Sequence, residues 1–380
     1  MSIRLPDRTT VLFTLFLAAL IVASSTRSPL AFALYAGLAV LLVLSNLEAF
    51  TRLDARERTA CWLLVGTMTV VLPVAVLRYE VALAHFVVGA VSLLCALVAS
   101  RRGTVLTIAM RVTLVTVQVG LIAYCLKVGF AAAPLTQILA PHTSANGVTS
   151  TLVILQASYS VMSFVVARRT TPITALVTTG VCVLGYGRGS ILAAALVLMV
   201  NVAFSLSWSR PWRTALILGA ILVGGISSFS KIAEYVTLNT KIGVGFEDAP
   251  REKMIQHYLA RMDGLDAIFG ADYRGTAIEE DFLGNPHNSF IRAHHLFGLF
   301  YLVGLAAFAL LMLRMRQYLR VQIFIGMMLL VVLARAFTEP ILFPTLLDFY
   351  FFTMCLALSI AESPQDERGA VGSRPAVTTP

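Results

Sequence analysis

The sequence predicts an all-α, polytopic integral membrane protein with about twelve transmembrane helices and one large polar loop that contains a short helix. Of its 380 residues, 58% are hydrophobic and 13% are charged, and the mean hydropathy is +0.83. Soluble domains carry roughly 25% charged residues, so this deficit places most of the chain in lipid. The lengths of the apolar runs and the positions of the basic residues support the same fold class.

The apolar runs locate the helices. A helix needs about 20 mostly apolar residues to cross a bilayer, and twelve segments meet or nearly meet that length. They lie near residues 10–24, 30–50, 59–77, 81–99, 104–126, 147–167, 172–186, 189–207, 212–230, 288–313, 321–337 and 341–361. The chain is thereby divided into helices one to nine in residues 1–230, a polar loop at 231–287, helices ten to twelve at 288–361 and a disordered tail at 362–380.

The basic residues predict the orientation of these helices. Lys and Arg accumulate on the cytoplasmic side of membrane proteins. Alternate connections and both termini hold more than half of the 29 Lys and Arg, whereas the short connections on the opposite face hold few. This asymmetry predicts cytoplasmic termini and an extracytoplasmic 231–287 loop. It also accounts for the net charge of +9, so nucleic acid is not an expected partner.

The 231–287 loop is acidic overall and contains one apolar stripe. Between Pro250 and Phe269 the apolar side chains recur at the helical spacing of three and four, at Met254, Tyr258, Met262, Leu265 and Phe269. Pro250 suits the first turn of a helix, and Gly270 suits its end. We therefore expect a short helix that packs its stripe against the membrane domain, as the lid of an active site would.

Three arginines at the predicted external side are candidates for binding an anion. Arg188 lies between two glycines, at the end of the seventh predicted helix. Its guanidinium offers a bidentate fork to phosphate, and the alternative is an ordinary interfacial anchor. Arg251 begins the loop helix, where unpaired backbone N–H groups favour phosphate, and Arg261 follows in the same loop. A solvated surface charge is the alternative for both.

A fourth arginine and a histidine complete the set of candidate residues. Arg335 and Glu339 flank the external end of the eleventh predicted helix, where they can pair with each other. His287 and Asn288 open the tenth predicted helix at the boundary between water and lipid. A neutral imidazole accepts a proton or binds a hydroxyl near neutral pH, so His287 is the candidate catalytic residue. The nearby histidines match no standard zinc spacing, and we expect no metal.

The run His287–Ile291, followed by Gly298, resembles the His-Asn motif of the O-antigen ligase and O-antigen polymerase superfamily. The glycine-flanked Arg188, the single large loop before the His-Asn helix, and the position of Arg251 about twenty residues ahead of Gly270 agree with that family. The resemblance covers approximately residues 172–360. The loop departs from the family pattern, however, because Tyr258 stands where a tryptophan is usual and the Gly-x-Gly after the loop helix is incomplete. Either Arg251 or Arg261 can therefore be the family's loop arginine.

The resemblance implies a GT-C-like, metal-independent glycosyltransferase of the bacterial inner membrane that needs no cofactor. It would transfer a glycan from undecaprenyl diphosphate to an acceptor hydroxyl at the periplasmic face. By this resemblance Arg188 and one loop arginine, Arg251 or Arg261, would bind the diphosphate, and Arg335 is a further candidate because it lies on the same predicted face. His287 would orient or deprotonate the acceptor, and Asn288 would hold the start of the helix or a sugar. The implied partners are the lipid bilayer, the undecaprenyl-diphosphate-linked glycan and a chain-length regulator protein.

Three functions are compatible with these features. The first is a polymerase of polysaccharide repeat units, for O-antigen or exopolysaccharide. The second is an O-antigen ligase, which differs only in using lipid A-core as the acceptor. The third is a transporter without catalysis, which predicts ionisable side chains near the middle of the membrane. The interior polar residues His85, Gln118, Gln156 and Asn201 are formally uncharged, which favours chemistry at the external side.

Overall fold

The computed structural model describes residues 7–26, 28–128, 145–185, 187–205, 249–280, 282, 284–314 and 319–362. Within these ranges all regular structure is α-helical, in fifteen helices. The helices are α1 (Arg8–Thr26), α2 (Pro29–Leu44), α3 (Glu48–Thr51), α4 (Ala55–Arg78), α5 (Ala82–Ser100), α6 (Gly103–Val128), α7 (Ala145–Ala167), α8 (Pro172–Leu184), α9 (Arg188–Ser205), α10 (Ala249–Leu259), α11 (Asp266–Phe269), α12 (Ala277–Glu280), α13 (Ser289–Leu313), α14 (Leu319–Thr338) and α15 (Asp348–Glu362).

Eight of the described helices are long and apolar enough to cross a membrane, namely α1, α4, α5, α6, α7, α9, α13 and α14. Three shorter apolar helices, α2, α8 and α15, accompany them. The chain is therefore an all-α, multi-pass membrane protein, which confirms the predicted class. The number of twelve spans stays a prediction, because the segment 212–230 lies outside the described residues, together with residues 231–248 of the loop and the tail beyond residue 362.

Helix α7 lies at the centre of the bundle. It packs against α6, α8, α9, α14 and α15, and 89% of its apolar span is buried. Outer helices bury much less: only 28% of the span of α4 is covered, and apolar side chains such as Trp62 and Leu77 are exposed. In a membrane protein such apolar outer faces meet lipid.

The most extensive contact between two described helices joins α4 to α13. A small residue permits it, because a Cβ added at Gly304 would lie 2.2 Å from Thr67 Oγ1. Close approach at small residues is the usual way in which membrane helices gain packing energy. In the first turn of α4, the buried carboxylate of Glu57 pairs with Arg101.

The last predicted helix begins later than the sequence indicated. Residues 341–347 are buried, except for the half-buried Thr345, and are not helical, and α15 starts at Asp348. The Asp348 carboxylate accepts hydrogen bonds from the N–H groups of Phe343 (2.8 Å) and Thr345 (3.0 Å). These N–H groups therefore bond a side chain, where in a helix they would bond backbone carbonyl oxygens. Pro344 has no N–H and disfavours a helix interior. The predicted start at residue 341 was therefore wrong.

Two other predicted segments are interrupted. The second predicted helix, 30–50, ends at Leu44, and a turn separates it from the short α3. The loop helix predicted from Pro250 to Phe269 is two helices, α10 and α11, with Gly264 in the left-handed region at φ +47° between them. Gly270 ends α11 at φ +98°, as predicted. Periodicity identified the helices here but not the breaks.

Candidate active site

Four ionisable side chains meet where α10, α13 and α14 converge, and we call them the Glu339 cluster (Arg251, His287, Arg335 and Glu339). Arg251 Nη2 lies 3.4 Å and Arg335 Nη2 lies 3.5 Å from Glu339 Oε1. His287 Nδ1 lies 3.7 Å from the other oxygen, Oε2. The Glu339 side chain is only 7% exposed. Three residues that the sequence singled out thus share one carboxylate.

The environment keeps Glu339 ionised. Burial alone would raise the pKa of its carboxyl, but the His287 ring and the guanidinium groups of Arg335 and Arg251 outweigh burial and lower the pKa below its ordinary value. The cluster therefore contains one fixed negative charge facing two fixed positive charges and an imidazole. Such a site carries an excess of positive charge at neutral pH, which suits an anionic ligand.

Arg335 is the fixed arginine of the cluster. Its side chain is 2% exposed, its Nε donates to Ser150 Oγ at 3.0 Å, and its Nη1 donates to Thr338 Oγ1 at 2.6 Å. Bonds to α7 and to its own helix hold the guanidinium in one orientation. Arg335 was predicted as an anion-binding residue, and the structure shows that it is also a link between helices.

The glycines around Arg188 bring the start of α9 against its neighbours. A Cβ added at Gly187 would lie 2.1 Å from Asn146 Oδ1, and one added at Gly189 would lie 3.0 Å from Arg335 Nη1. Both glycines therefore serve close helix packing. Arg188 lies between them as the first residue of α9, half-buried, so its backbone adjoins Arg335 at the edge of the cluster.

The two loop arginines have different surroundings. Arg251, in the first turn of α10, reaches Glu339 and is 28% exposed. Arg261 follows the end of α10, is exposed, and donates from Nη2 to the carbonyl oxygen of Gly275 at 3.2 Å. The structure thus brings Arg251 to the other candidate residues and leaves Arg261 on the surface of the loop.

A strained turn aims His287 at Glu339. His287 has φ +44°, a conformation that residues other than glycine seldom adopt. Its N–H donates to Asn285 Oδ1 at 3.0 Å, and its ring packs edge-on against Phe282. The buried Asn288 side chain caps α13 by accepting the N–H groups of Phe290 (2.8 Å) and Ile291 (3.2 Å). Of the two roles expected for Asn288, the structure shows the one at the helix start.

Ser289 and Glu339 are site residues that the sequence reasoning missed or undervalued. Ser289 Oγ donates to the carbonyl oxygen of Glu339 at 2.7 Å and accepts the N–H of Leu342 at 3.0 Å. It thereby fastens the start of α13 to the segment that carries Glu339. A weak signal existed for both: Ser289 directly follows the His-Asn pair, and Glu339 lies four residues after Arg335.

Two histidines of α13 hold the loop in place. Tyr258 OH lies 2.7 Å from His294 Nδ1, and His294 Nε2 lies 2.9 Å from the Ala267 carbonyl oxygen. Since a carbonyl oxygen only accepts, His294 is protonated on Nε2 and accepts from the tyrosine. His295 Nδ1 likewise donates to the Ala271 carbonyl oxygen at 2.8 Å. These histidines position the loop that carries Arg251.

Backbone contacts complete the docking of the loop. A Cβ added at Gly270 would lie 2.2 Å from the carbonyl oxygen of His294, and one added at Gly298 would lie 2.1 Å from that of Ile268. Gly298 has φ +66° and kinks α13. From α4, Arg78 Nη1 donates to the Gly270 carbonyl oxygen at 2.7 Å and pairs with Asp266 at 3.0 Å. The loop is therefore seated on α4 and α13.

Three of the four polar residues predicted inside the bundle, Gln118, Gln156 and Asn201, belong to a separate group, which we call the interior network. The fourth, His85, has its Nδ1 3.2 Å from the carbonyl oxygen of Pro344 instead. The members of the interior network are Gln118, Gln156, Ser160, Thr171, Thr178 and Asn201, all buried. Gln118 Nε2 donates to Thr178 Oγ1 at 2.8 Å, and Thr178 Oγ1 donates to Gln156 Oε1 at 3.2 Å. Asn201 Nδ2 donates to Ser160 Oγ at 3.0 Å. These groups bond one another across α6, α7, α8 and α9.

No protein family, curated protein or solved structure matches this chain. The resemblance carried by the His-Asn motif therefore stays a prediction, and the site is interpreted from its own geometry.

Proposed function

We propose that the protein is a membrane glycosyltransferase that polymerises polysaccharide repeat units. It transfers a glycan from undecaprenyl diphosphate to the hydroxyl of a lipid-linked acceptor, at the periplasmic face of a bacterial inner membrane. The supporting observation is the convergence of Arg251, Arg335 and His287 on one buried carboxylate. Guanidinium groups suit a diphosphate, and an imidazole suits a hydroxyl proton, so one site offers both halves of a transfer reaction.

The arginines would stabilise the leaving group. As the bond between the sugar and the diphosphate breaks, the diphosphate departs with the electron pair and its negative charge grows. Cationic donors fixed in a partly dehydrated site stabilise that charge without reorganising. Arg335 is held rigidly by Ser150 and Thr338, Arg251 comes from the docked loop, and Arg188 begins the adjacent helix. We assign the loop role to Arg251 because Arg261 bonds Gly275 instead.

His287 would act on the acceptor. The acceptor oxygen attacks the anomeric carbon of the donor sugar, and its proton passes to the imidazole, so that the new carbon–oxygen bond forms as the old one breaks. The left-handed turn at His287 and the Asn288 cap hold the imidazole at the mouth of α13. Preorganised geometry of this kind lowers the entropic cost of reaction.

The orientation of the site rests on the distribution of basic residues, which favours cytoplasmic termini and a periplasmic loop. A chain-length regulator protein is the partner expected of such a polymerase. A ligase would use the same residues with lipid A-core as its acceptor. A transporter is disfavoured, because the interior network is uncharged and its members bond one another.

Reconstitution tests the proposal. The purified protein is incorporated into liposomes with undecaprenyl-diphosphate-linked repeat units, and products are resolved on gels. We expect longer glycans together with released undecaprenyl diphosphate, and added lipid A-core should not be glycosylated. His287→Ala should reduce the rate by about 100- to 10,000-fold, at unchanged expression.

His257→Ala is the matched control, since His257 is an exposed histidine of the same loop. It should retain wild-type activity. Full activity of His287→Ala would overturn the catalytic role of that residue. Glycosylation of lipid A-core without chain extension would identify a ligase, and absence of any transfer by the wild-type protein would overturn the proposed reaction.

A further inference from the structure

Glu339 divides its two oxygens between two kinds of partner. Oε1 faces the guanidinium groups of Arg251 and Arg335, and Oε2 faces His287 Nδ1. The carboxylate is nearly covered, and Ser289 holds the backbone of the same residue. Its position is therefore set by the fold, and it joins the anion-binding side of the site to the imidazole.

The facing carboxylate defines which nitrogen of His287 carries the proton. An ionised carboxylate only accepts hydrogen bonds, so a neutral ring that donates to Glu339 carries its proton on Nδ1. Among the described residues, none lies within hydrogen-bonding distance of His287 Nδ1, and Glu339 at 3.7 Å is the ionisable group paired with it. The lone pair is then on Nε2, which is the atom available to an acceptor hydroxyl.

We propose that Glu339 is a positioning residue that orients His287 as the base and links the strength of that base to donor binding. This inference rests on the proposed glycosyl transfer. In the structure the charge of Glu339 is shared with two guanidinium groups. When a diphosphate draws Arg251 toward its own oxygens and shares the charge of the fixed Arg335, more of the carboxylate's charge acts on His287. Donor binding thereby favours the imidazolium, and the base becomes strongest when a donor is in place.

The proton balance of the step is simple. The acceptor hydroxyl gives its proton to Nε2 as its oxygen bonds the sugar and the diphosphate leaves with the electron pair. The imidazolium that forms is stabilised by Glu339 across Nδ1–H, and Glu339 itself stays ionised. Among the described residues, Glu339 is the charged group paired with the ring, and Arg335 from α14 and Arg251 from α10 face the other oxygen of the same carboxylate. Arg188 of α9 adjoins Arg335.

Chemical labelling tests the proposal without turnover. Diethylpyrocarbonate modifies neutral imidazoles, and mass spectrometry of the purified protein across a pH series gives the midpoint of modification for His287. Pyrophosphate serves as the probe for the donor's headgroup. We expect pyrophosphate to move the wild-type midpoint to higher pH. Glu339→Gln should move the midpoint lower by about one pH unit and remove its response to pyrophosphate.

Internal and matched controls accompany that measurement. The midpoint of the exposed His257 should be the same in every sample. Glu280→Gln changes an exposed carboxylate of the same loop and should leave His287 unaffected. A wild-type midpoint that pyrophosphate does not move would overturn the link to donor binding. The pyrophosphate measurement uses the wild-type protein, so it tests the proposal even where Glu339→Gln fails to fold. A Glu339→Gln midpoint equal to that of the wild type would overturn the positioning role.

Turnover gives the second readout. Glu339→Gln should lower kcat about 10- to 100-fold and move the acidic limb of the pH–rate profile to lower pH, and Glu339→Asp should recover part of the rate. A lower rate of Glu339→Gln without a shift in the acidic limb of the pH–rate profile would indicate that Glu339 has only a structural role. Labelling that behaves as expected in a protein that transfers no glycan would overturn the proposed reaction alone. If the protein polymerises glycans but neither pyrophosphate nor Glu339→Gln changes the pH midpoint of His287 modification, this inference is wrong and the proposed reaction stands.

Discussion

The Glu339 cluster and the interior network both gather polar side chains from distant parts of the chain, but they use them in opposite ways. In the interior network the side chains are uncharged, buried and bonded to one another at 2.7 to 3.2 Å. In the Glu339 cluster the groups are ionisable, and the contacts to the carboxylate are longer, at 3.4 to 3.7 Å. The polar groups of the network are bonded to one another, whereas the contacts that Glu339 makes in the cluster are longer than ordinary hydrogen bonds.

The cost of burying charge explains the difference. A charge in the middle of a membrane helix is expensive, and a neutral amide or hydroxyl costs less when it is fully bonded. The network can therefore join helices within the bundle. Charged groups cost less free energy at the helix ends, where the loop brings Arg251 and where the His287 side chain is 29% exposed. The comparison separates polar groups that hold the helices together from those available for chemistry.

After His287→Ala, the largest effect is expected where the loop arginine is removed from the Glu339 cluster. Arg251→Ala should lower the rate of glycan extension about 100- to 1,000-fold, because one cation facing the leaving diphosphate is lost. Arg261→Ala, in the same loop, removes only an exposed contact to Gly275 and should act like the wild type. Reconstituted turnover measures both, and equal losses would contradict the assignment of Arg251.

A smaller effect is expected where the loop meets α13. Gly270→Ala places a Cβ against the His294 carbonyl oxygen at φ +98°, and the combined clash and strain should cost about 2–3 kcal/mol. Gly275→Ala is the matched control: it has φ +66° but its nearest neighbour is 3.5 Å away, so strain alone should cost about 1 kcal/mol. Limited proteolysis of residues 249–280 measures the docking. Equal sensitivity of the two variants would show that the clash is relieved elsewhere.

The smallest effect on activity is expected in the interior network. Asn201→Leu removes the bonds to Ser160 and to Thr171 and should destabilise the protein by about 1–2 kcal/mol. Thermal unfolding in detergent should show a lower Tm, while the rate per folded molecule stays near that of the wild type. Ser205→Ala, at the exposed end of the same helix, should leave the Tm unchanged. Loss of activity without loss of stability would show that the network also serves the reaction.

The sequence predicted the helices better than their breaks. Apolar runs are local signals, and every described apolar helix falls within a predicted segment or close to one. The start of α15 was misplaced because the sequence between Ile341 and Asp348 is apolar in composition but is held in a non-helical path by the Asp348 carboxylate. The loop helix was predicted as one unit because its periodicity continues across Gly264.

The sequence also predicted which residues have suitable chemistry, but it did not predict most of the contacts between them. Arg188, Arg251, His287 and Arg335 were selected because their chemistry suits a phosphate or a hydroxyl. Glu339 was expected only to pair with Arg335, and its contacts with Arg251 and His287 had no local signal. The sequence indicated only that the histidines near His287 lack zinc spacing, and the structure shows two of them, His294 and His295, bonded to the loop.

The sequence by itself determined that this is a helical membrane protein, because in lipid the backbone must satisfy its hydrogen bonds within each apolar segment. It also determined which residue types are available for chemistry and in which segments they lie. Only the tertiary structure decided that Arg251 meets Glu339, 88 residues away, while Arg261 does not. That choice depends on how Gly270, Gly298 and two histidines seat the loop on α13, and contacts between distant segments leave no periodic trace in the chain.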